Sequence, residues 1–245
     1  TVESLPLIAS SIMSKKLAAG ADAIVLDVKW GDGAFMKTKE AAQALADTMI
    51  QIGVGAGKQV EAVISDMNQP LGLAVGNALE VKEAITALQG NGPADLMEDC
   101  FALGERMLCL GKKAENRTDA RKKMEKAITD GSAYEKFITW VTAQGGDSRT
   151  IQHPELLPTA AYQIPVVAAE SGKVCRIHCQ QIGGICMALG GGRAEKNAVI
   201  DPAVGIVLYK KKGMYVEQGE TLGVIHANNK DRGREAADAC RNAII

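Results

Sequence analysis

Up to about residue 90 the apolar positions switch between two spacings. Ser4 followed by Leu5-Pro6 is a helix start, a cap residue with proline in the first turn, and the helix it opens runs to Gly20, a natural left-handed stop. A short apolar run at 23–29, bounded by glycine and charge, reads as a buried parallel strand. From 38 to 52 the apolar residues return to a helical period at Ala41, Ala44, Leu45, Thr48, Met49 and Ile52. VEAVIS at 60–65 is the next strand, and 77–88 the next helix. Strand–helix alternation of this kind predicts an α/β layer with a mostly parallel sheet. Residues 95–141 are helical throughout, in three segments. Residues 145–165 lack periodicity, carry Pro154, Pro158 and Pro165, and read as a linker. Beyond Pro165 short alternating runs split by glycines predict a small β-rich domain, closed by a helix over 234–245.

The domain plan that follows is a helical stub at 1–20, an α/β domain at 21–160 and a β-rich domain at 166–245. Composition narrows the class. Lys and Arg number 28 against 29 Asp and Glu, so the basic excess of a polyanion binder is missing. Aromatics at 4% disfavour base-stacking RNA platforms. Nucleic acid is therefore not an expected partner. No apolar run approaches the ~20 residues of a membrane helix, and the first residues hold Glu3 and Pro6 in place of a signal-peptide pattern. The six cysteines form no CxxC pair, which fits reduced thiols and a cytoplasmic location. The chain opens on Thr1 and enters a helix almost at once, which carries the expectation of a longer polypeptide.

Several patterns could carry chemistry. Ile8, Ser11 and Lys15 sit at i, i+3 and i+7 and project from one helix face. An apolar contact, a hydroxyl and an ammonium together could hold a planar, oxygen-rich ligand; an ordinary amphipathic helix with a solvated lysine has the same spacing. Cys175, His178, Cys179 and Cys186 lack zinc spacing and read as packed strand residues. Gly190–Gly192 with Arg193 reads as a flexible turn outside any nucleotide-loop context. GVGAG at 53–57 follows a helix and precedes a strand, the reverse of a dinucleotide fingerprint. Lys210-Lys211-Lys212 before Gly213 reads as a solvated turn.

Long blocks of the chain, in order, resemble one family: residues 1–29, GAFM at 33–36, ISDMNQPLG at 64–72 and AVGNALEVKEAI at 74–85, then LPTAAY, GGGRA, DPAVGIVLYKK and VIHAN. They are similar to the pyrimidine nucleoside phosphorylases and their thymidine phosphorylase relatives. The resemblance implies reversible phosphorolysis of uridine, thymidine or deoxyuridine to free base and sugar 1-phosphate, in nucleoside salvage. It implies that Ser11 and Lys15 bind the pyrimidine ring, that Lys15 is the catalytic cation, and that Lys16 lies near the phosphate. It places Ile8 and Phe35 against the base. It also implies a potassium ion on Leu71, Ala74 and Glu83, with phosphate as co-substrate and a homodimer built through the α domain. Trp30 and Asp32 stand where relatives usually carry smaller residues. The family's KHSTGG-type phosphate stretch has no counterpart here. The expectation is therefore a chain matching the latter part of the enzyme, inactive alone. A non-catalytic binding module with the same fold and a thymidine-restricted phosphorylase are the alternatives; a phosphoribosyltransferase of related fold is more remote. GMYVEQGETLGVIHA looks like the hairpin of biotinyl and lipoyl carriers and predicts a barrel-sandwich, without a modified lysine.

Overall fold

The computed structural model describes residues 4–245; Thr1, Val2 and Glu3, part of the expected stub, lie outside the described residues. The chain forms two compact units. One takes the residues up to Met67 together with Leu96–Ala127, the other Asn68–Asp95 with Ile128–Ile245, so the expected 21–160 segment contributes to both.

In the first unit, helix α1 (Leu5–Ala18) starts after Ser4, whose extended backbone and carbonyl receive the Ile8 N–H at 2.9 Å. Strand β1 (Ala23–Trp30), helix α2 (Lys39–Gly55) and strand β2 (Gln59–Asp66) make one βαβ unit. The helical crossover brings the strands together parallel, paired from Ala23 with Gln59 to Trp30 with Asp66. Thr38 caps α2 by accepting the Ala41 N–H at 3.2 Å. Ala42, Leu45, Ala46 and Met49 line one face of α2, and they pack with Ile24, Leu26 and Val28 of β1 and with Ala9 and Met13 of α1. Gly53 brings the helix close: a Cβ there would lie 2.3 Å from Val60 Cγ2. Helices α4 (Ala94–Leu110) and α5 (Arg117–Thr129) follow later in the chain. They are tied by Arg121, which bonds Glu98, Glu105 and Glu125 and covers the Phe101 ring at 4.2 Å.

The second unit holds β3 (Ala74–Val75), α3 (Asn77–Thr86), α6 (Ser132–Ala143), the short α7 (Arg149–Gln152), β4 (Tyr162–Val167), β5 (Gly172–Lys173), α8 (Cys179–Cys186), β6 (Gly205–Leu208), β7 (Tyr215–Val216), β8 (Thr221–Ala227) and α9 (Lys230–Asn242). Four strands form an open antiparallel sheet in the order β3-β6-β8-β4, and β5 pairs antiparallel with β7. Ile206, Leu208 and Ile225, all without exposed surface, centre a core that α8 and α9 cover.

Three expectations are corrected. The sheets are not mostly parallel: only β1 and β2, joined by a helix, pair that way among the described residues. The β-rich region is not a closed barrel, because β3 and β4 remain as edges. Nor are Cys175, His178, Cys179 and Cys186 packed strand residues: Cys175 is exposed, His178 precedes α8, and Cys179 and Cys186 join Ile182 on its buried face at helical spacing. The expected linker contributes β4, where Pro165 is tolerated because the strand is an edge.

Candidate functional site

In the first unit a cavity of about 540 Å³ opens beside α1. Ile8, Ile12 and Lys16 line it from the helix, Asp27 and Lys29 from β1, and Phe35 from the loop after it. These helix positions fall at i, i+4 and i+8, a single stripe at 3.6 residues per turn. Ser11 and Lys15 are exposed and occupy the adjoining stripe, with Ile8 common to both. Three of the five base-site candidates, Ile8, Lys16 and Phe35, thus share one cavity; Ser11 and Lys15 stand next to it without lining it.

The loop is fixed by backbone bonds. The Gly31 N–H donates to Met36 O at 2.9 Å and the Gly33 N–H to Met67 O at 3.0 Å. This holds the 33–36 segment across the carboxyl ends of β1 and β2, where parallel strands commonly place ligands. Phe35 is 78% exposed, so it is a side chain presented to the cavity and not part of the core. Trp30 makes the strand-end bridge to Met36 and is half-buried, and Asp32 offers its carbonyl to Lys37 Nζ at 2.9 Å.

Under the loop lies a charged network that the hydrophobic pattern does not announce. Asp27 and Lys29 are two apart on β1 and so point to the same side. Lys29 Nζ is 2.7 Å from Asp27 Oδ2, 3.1 Å from Asp99 Oδ2 and 3.1 Å from Ser65 Oγ of β2. Ser65 donates in turn to Asp27. Burial pulls the Lys29 pKa down, but its bonds to Asp27 and Asp99 outweigh that and hold it above the ordinary lysine value. The sequence signal was available: a charged pair spaced i, i+2 at the end of an apolar parallel strand.

The cation candidates lie in the second unit. Glu83 of α3 reaches back to the turn before β3, and its Oε1 accepts the Leu73 N–H at 2.7 Å and the Ala74 N–H at 3.1 Å. Burial raises the Glu83 pKa, against the pull of those two N–H groups and of Lys211. Its other oxygen sits over Gly72, whose φ of +68° and lack of Cβ leave the room: a Cβ there would be 2.2 Å from Oε2. Of the three cation candidates, Ala74 and Glu83 meet at this turn, through the Ala74 N–H and the Glu83 carboxylate.

The family model described as "Glycosyl transferase family, a/b domain" matches residues 1–134, and "Pyrimidine nucleoside phosphorylase C-terminal domain" matches residues 173–245. Relatives named pyrimidine-nucleoside phosphorylase in Bacillus subtilis (strain 168) and Staphylococcus aureus (strains N315 and COL) are 57% identical over 231 residues. The chain belongs to the pyrimidine nucleoside phosphorylase family. That match covers 94% of this chain and 53% of each relative, so the chain spans about half the length of the curated relatives it matches. Within this family member, the cavity beside α1 lies inside the a/b-domain match, and the Glu83 turn does too. Among the described residues no helix is long and apolar enough to cross a membrane.

Proposed function

We propose that this chain supplies the base-binding half of a pyrimidine nucleoside phosphorylase. One observation carries the reading: Ile8 and Lys16 of α1 open with Phe35 on one cavity, and Ser11 and Lys15 flank it on the next stripe of the same helix. In the reaction a phosphate oxygen attacks C1′ of the nucleoside. The bond from C1′ to the ring nitrogen breaks and its electron pair passes to the pyrimidine. Negative charge then grows on the ring carbonyls. A base lying against Ile8 and Phe35 has the Lys15 ammonium beside those oxygens, and the attraction strengthens as the charge develops. Stabilisation of that kind favours the transition state over the ground state. The Ser11 hydroxyl orients the ring, and Lys16 faces the side from which phosphate arrives.

Asp27, Lys29, Ser65 and Asp99 are positioning residues in this scheme. Their mutual bonds hold Asp27 and Lys29 in place where they line the cavity. Leu71, Ala74 and Glu83 would hold a potassium ion through two carbonyls and a carboxylate, and that ion would stiffen the turn between β2 and α3. The active form in this reading is a cytoplasmic homodimer in nucleoside salvage, longer than this chain and carrying the phosphate-binding stretch absent from it.

The test is the phosphate-dependent fall in ultraviolet absorbance of uridine and of thymidine with the chain extended to the length of its relatives. Turnover of both supports the reading. Turnover of thymidine alone restricts it to the thymidine type, and no turnover of either overturns it.

A further inference from the structure

The lysine run at 210–212 is not a uniformly solvated turn. Lys211 keeps only 15% of its side chain exposed, and its ammonium donates to the carbonyls of Pro70 and of Gly72, the latter at 2.5 Å, while lying 2.9 Å from Asp95 Oδ2. Three N–H groups thus meet three oxygens on one side of the turn before β3. Neighbouring bonds hold the same two segments in register. The Lys212 N–H donates to Gln69 Oε1 at 3.0 Å, and the Leu208 N–H to Leu73 O at 2.8 Å. The Glu83 carboxylate, on the other flank of Gly72, feels the Lys211 charge, and it also feels the opposing charge of Asp95. Take the ammonium away and two carboxylates and two carbonyl dipoles face one another across the turn.

We propose that the Lys211 ammonium is a tethered monovalent cation that shapes the Pro70–Gly72 turn, in a place that a free cation of ammonium size would otherwise take. An ammonium and a potassium ion have closely similar radii and take the same oxygen donors. The tether removes the cost of capturing an ion from solution. The proposal concerns the turn that carries the potassium reading but does not depend on phosphorolysis. If the proposed potassium binds on Leu71, Ala74 and Glu83, it meets a turn already formed.

The test compares the complete chain with its Lys211→Met variant, which keeps the stem and removes the charge. Thermal midpoints are read in choline chloride, potassium chloride and ammonium chloride at equal ionic strength. Wild type is expected to gain less from potassium or ammonium, relative to choline, than the variant does. The variant is expected to melt ~5–10 °C lower in choline, the scale on which the loss of charged hydrogen bonds registers in a chain of this size. It should regain at least half of that in potassium or ammonium. Lys211→Ala, with methylammonium chloride added, gives a second route: the small amine should restore what the deletion removed. If Lys211→Met yields no folded protein in choline, its refolded yield in each salt is compared instead, with the same expected order. A variant that loses stability equally in every salt, or one as stable as wild type in choline, overturns the proposal. So does a wild type that gains as much from potassium as the variant. No nucleoside, phosphate or turnover enters the readout, so its failure leaves the phosphorolysis reading standing, and the reverse holds too.

Discussion

Lys29 holds its proton more tightly in the fold than a free lysine does, despite burial, because Asp27 and Asp99 both bond it. A base whose folded pKa is raised contributes stability that is present below its ordinary value and lost as pH climbs through the raised one. For Lys29 that loss begins above about pH 10.5. The advantage of wild type over Lys29→Met in urea midpoint should therefore hold at neutral pH and shrink as pH rises beyond that point. An advantage that stays constant through the alkaline range would refute the network as drawn. At this scale the sequence exposed some residues and hid others. Helical spacing puts Ser11 and Lys15 side by side, but their proposed role comes from the family resemblance and not from that spacing. Lys211 is hidden: its partners Pro70, Gly72 and Asp95 are more than a hundred positions away, and its own neighbours look like any hydrated lysine run. Glu83 is intermediate, since its spacing to Ala74 is short but its role depends on a turn that only folding builds.

Single elements follow local physics where one period dominates. Helix α2 and strand β1 lie where the apolar spacing puts them, because each buries one consistent face, and β2 follows by pairing along β1. Helix α8 escaped because its glycines and its cysteines mask a helical period of only three buried positions. The α9 start moved to Lys230 because Asn229 accepts the N–H groups of Asp231 and Arg232, a cap that an argument from apolar residues does not see. Strand β3 has two residues and is held by its pairing with β6 and by the Glu83 carboxylate at the Ala74 N–H. Gly76 at its end has φ +141°, and a Cβ there would lie 2.6 Å from Val204 O. Gly76→Ala must force β3 and β6 apart and is expected to cost about 2–4 kcal/mol. Chemical denaturation checks it; a loss under about 0.5 kcal/mol, the range of ordinary surface changes, would contradict this packing.

At the scale of the whole molecule, the α/β character was readable but the balance of pairing was not. Strand order is set by which edges meet, and β3, β4, β6 and β8 meet antiparallel through connections that no local spacing encodes. The same scale decides activity. This chain covers about half of each relative, and it holds no KHSTGG-type stretch, the one that the family resemblance ties to phosphate. The 245-residue chain alone is therefore expected to show no phosphate-dependent cleavage of uridine at concentrations where the extended protein turns over. Cleavage at comparable rates by both would mean that phosphate binds within these residues.

The central claim is that the Lys15 ammonium steadies the departing pyrimidine. Its most direct measurement is kcat/KM for phosphorolysis by the extended protein and its Lys15→Met variant, with uridine and with 5-fluorouridine. Fluorine withdraws charge from the leaving ring and so lessens the need for the lysine. The account predicts a loss of ~100- to 1,000-fold on uridine and a clearly smaller loss on the fluorinated substrate. A variant within a few-fold of wild type on uridine, or one that loses equally on both, would contradict it.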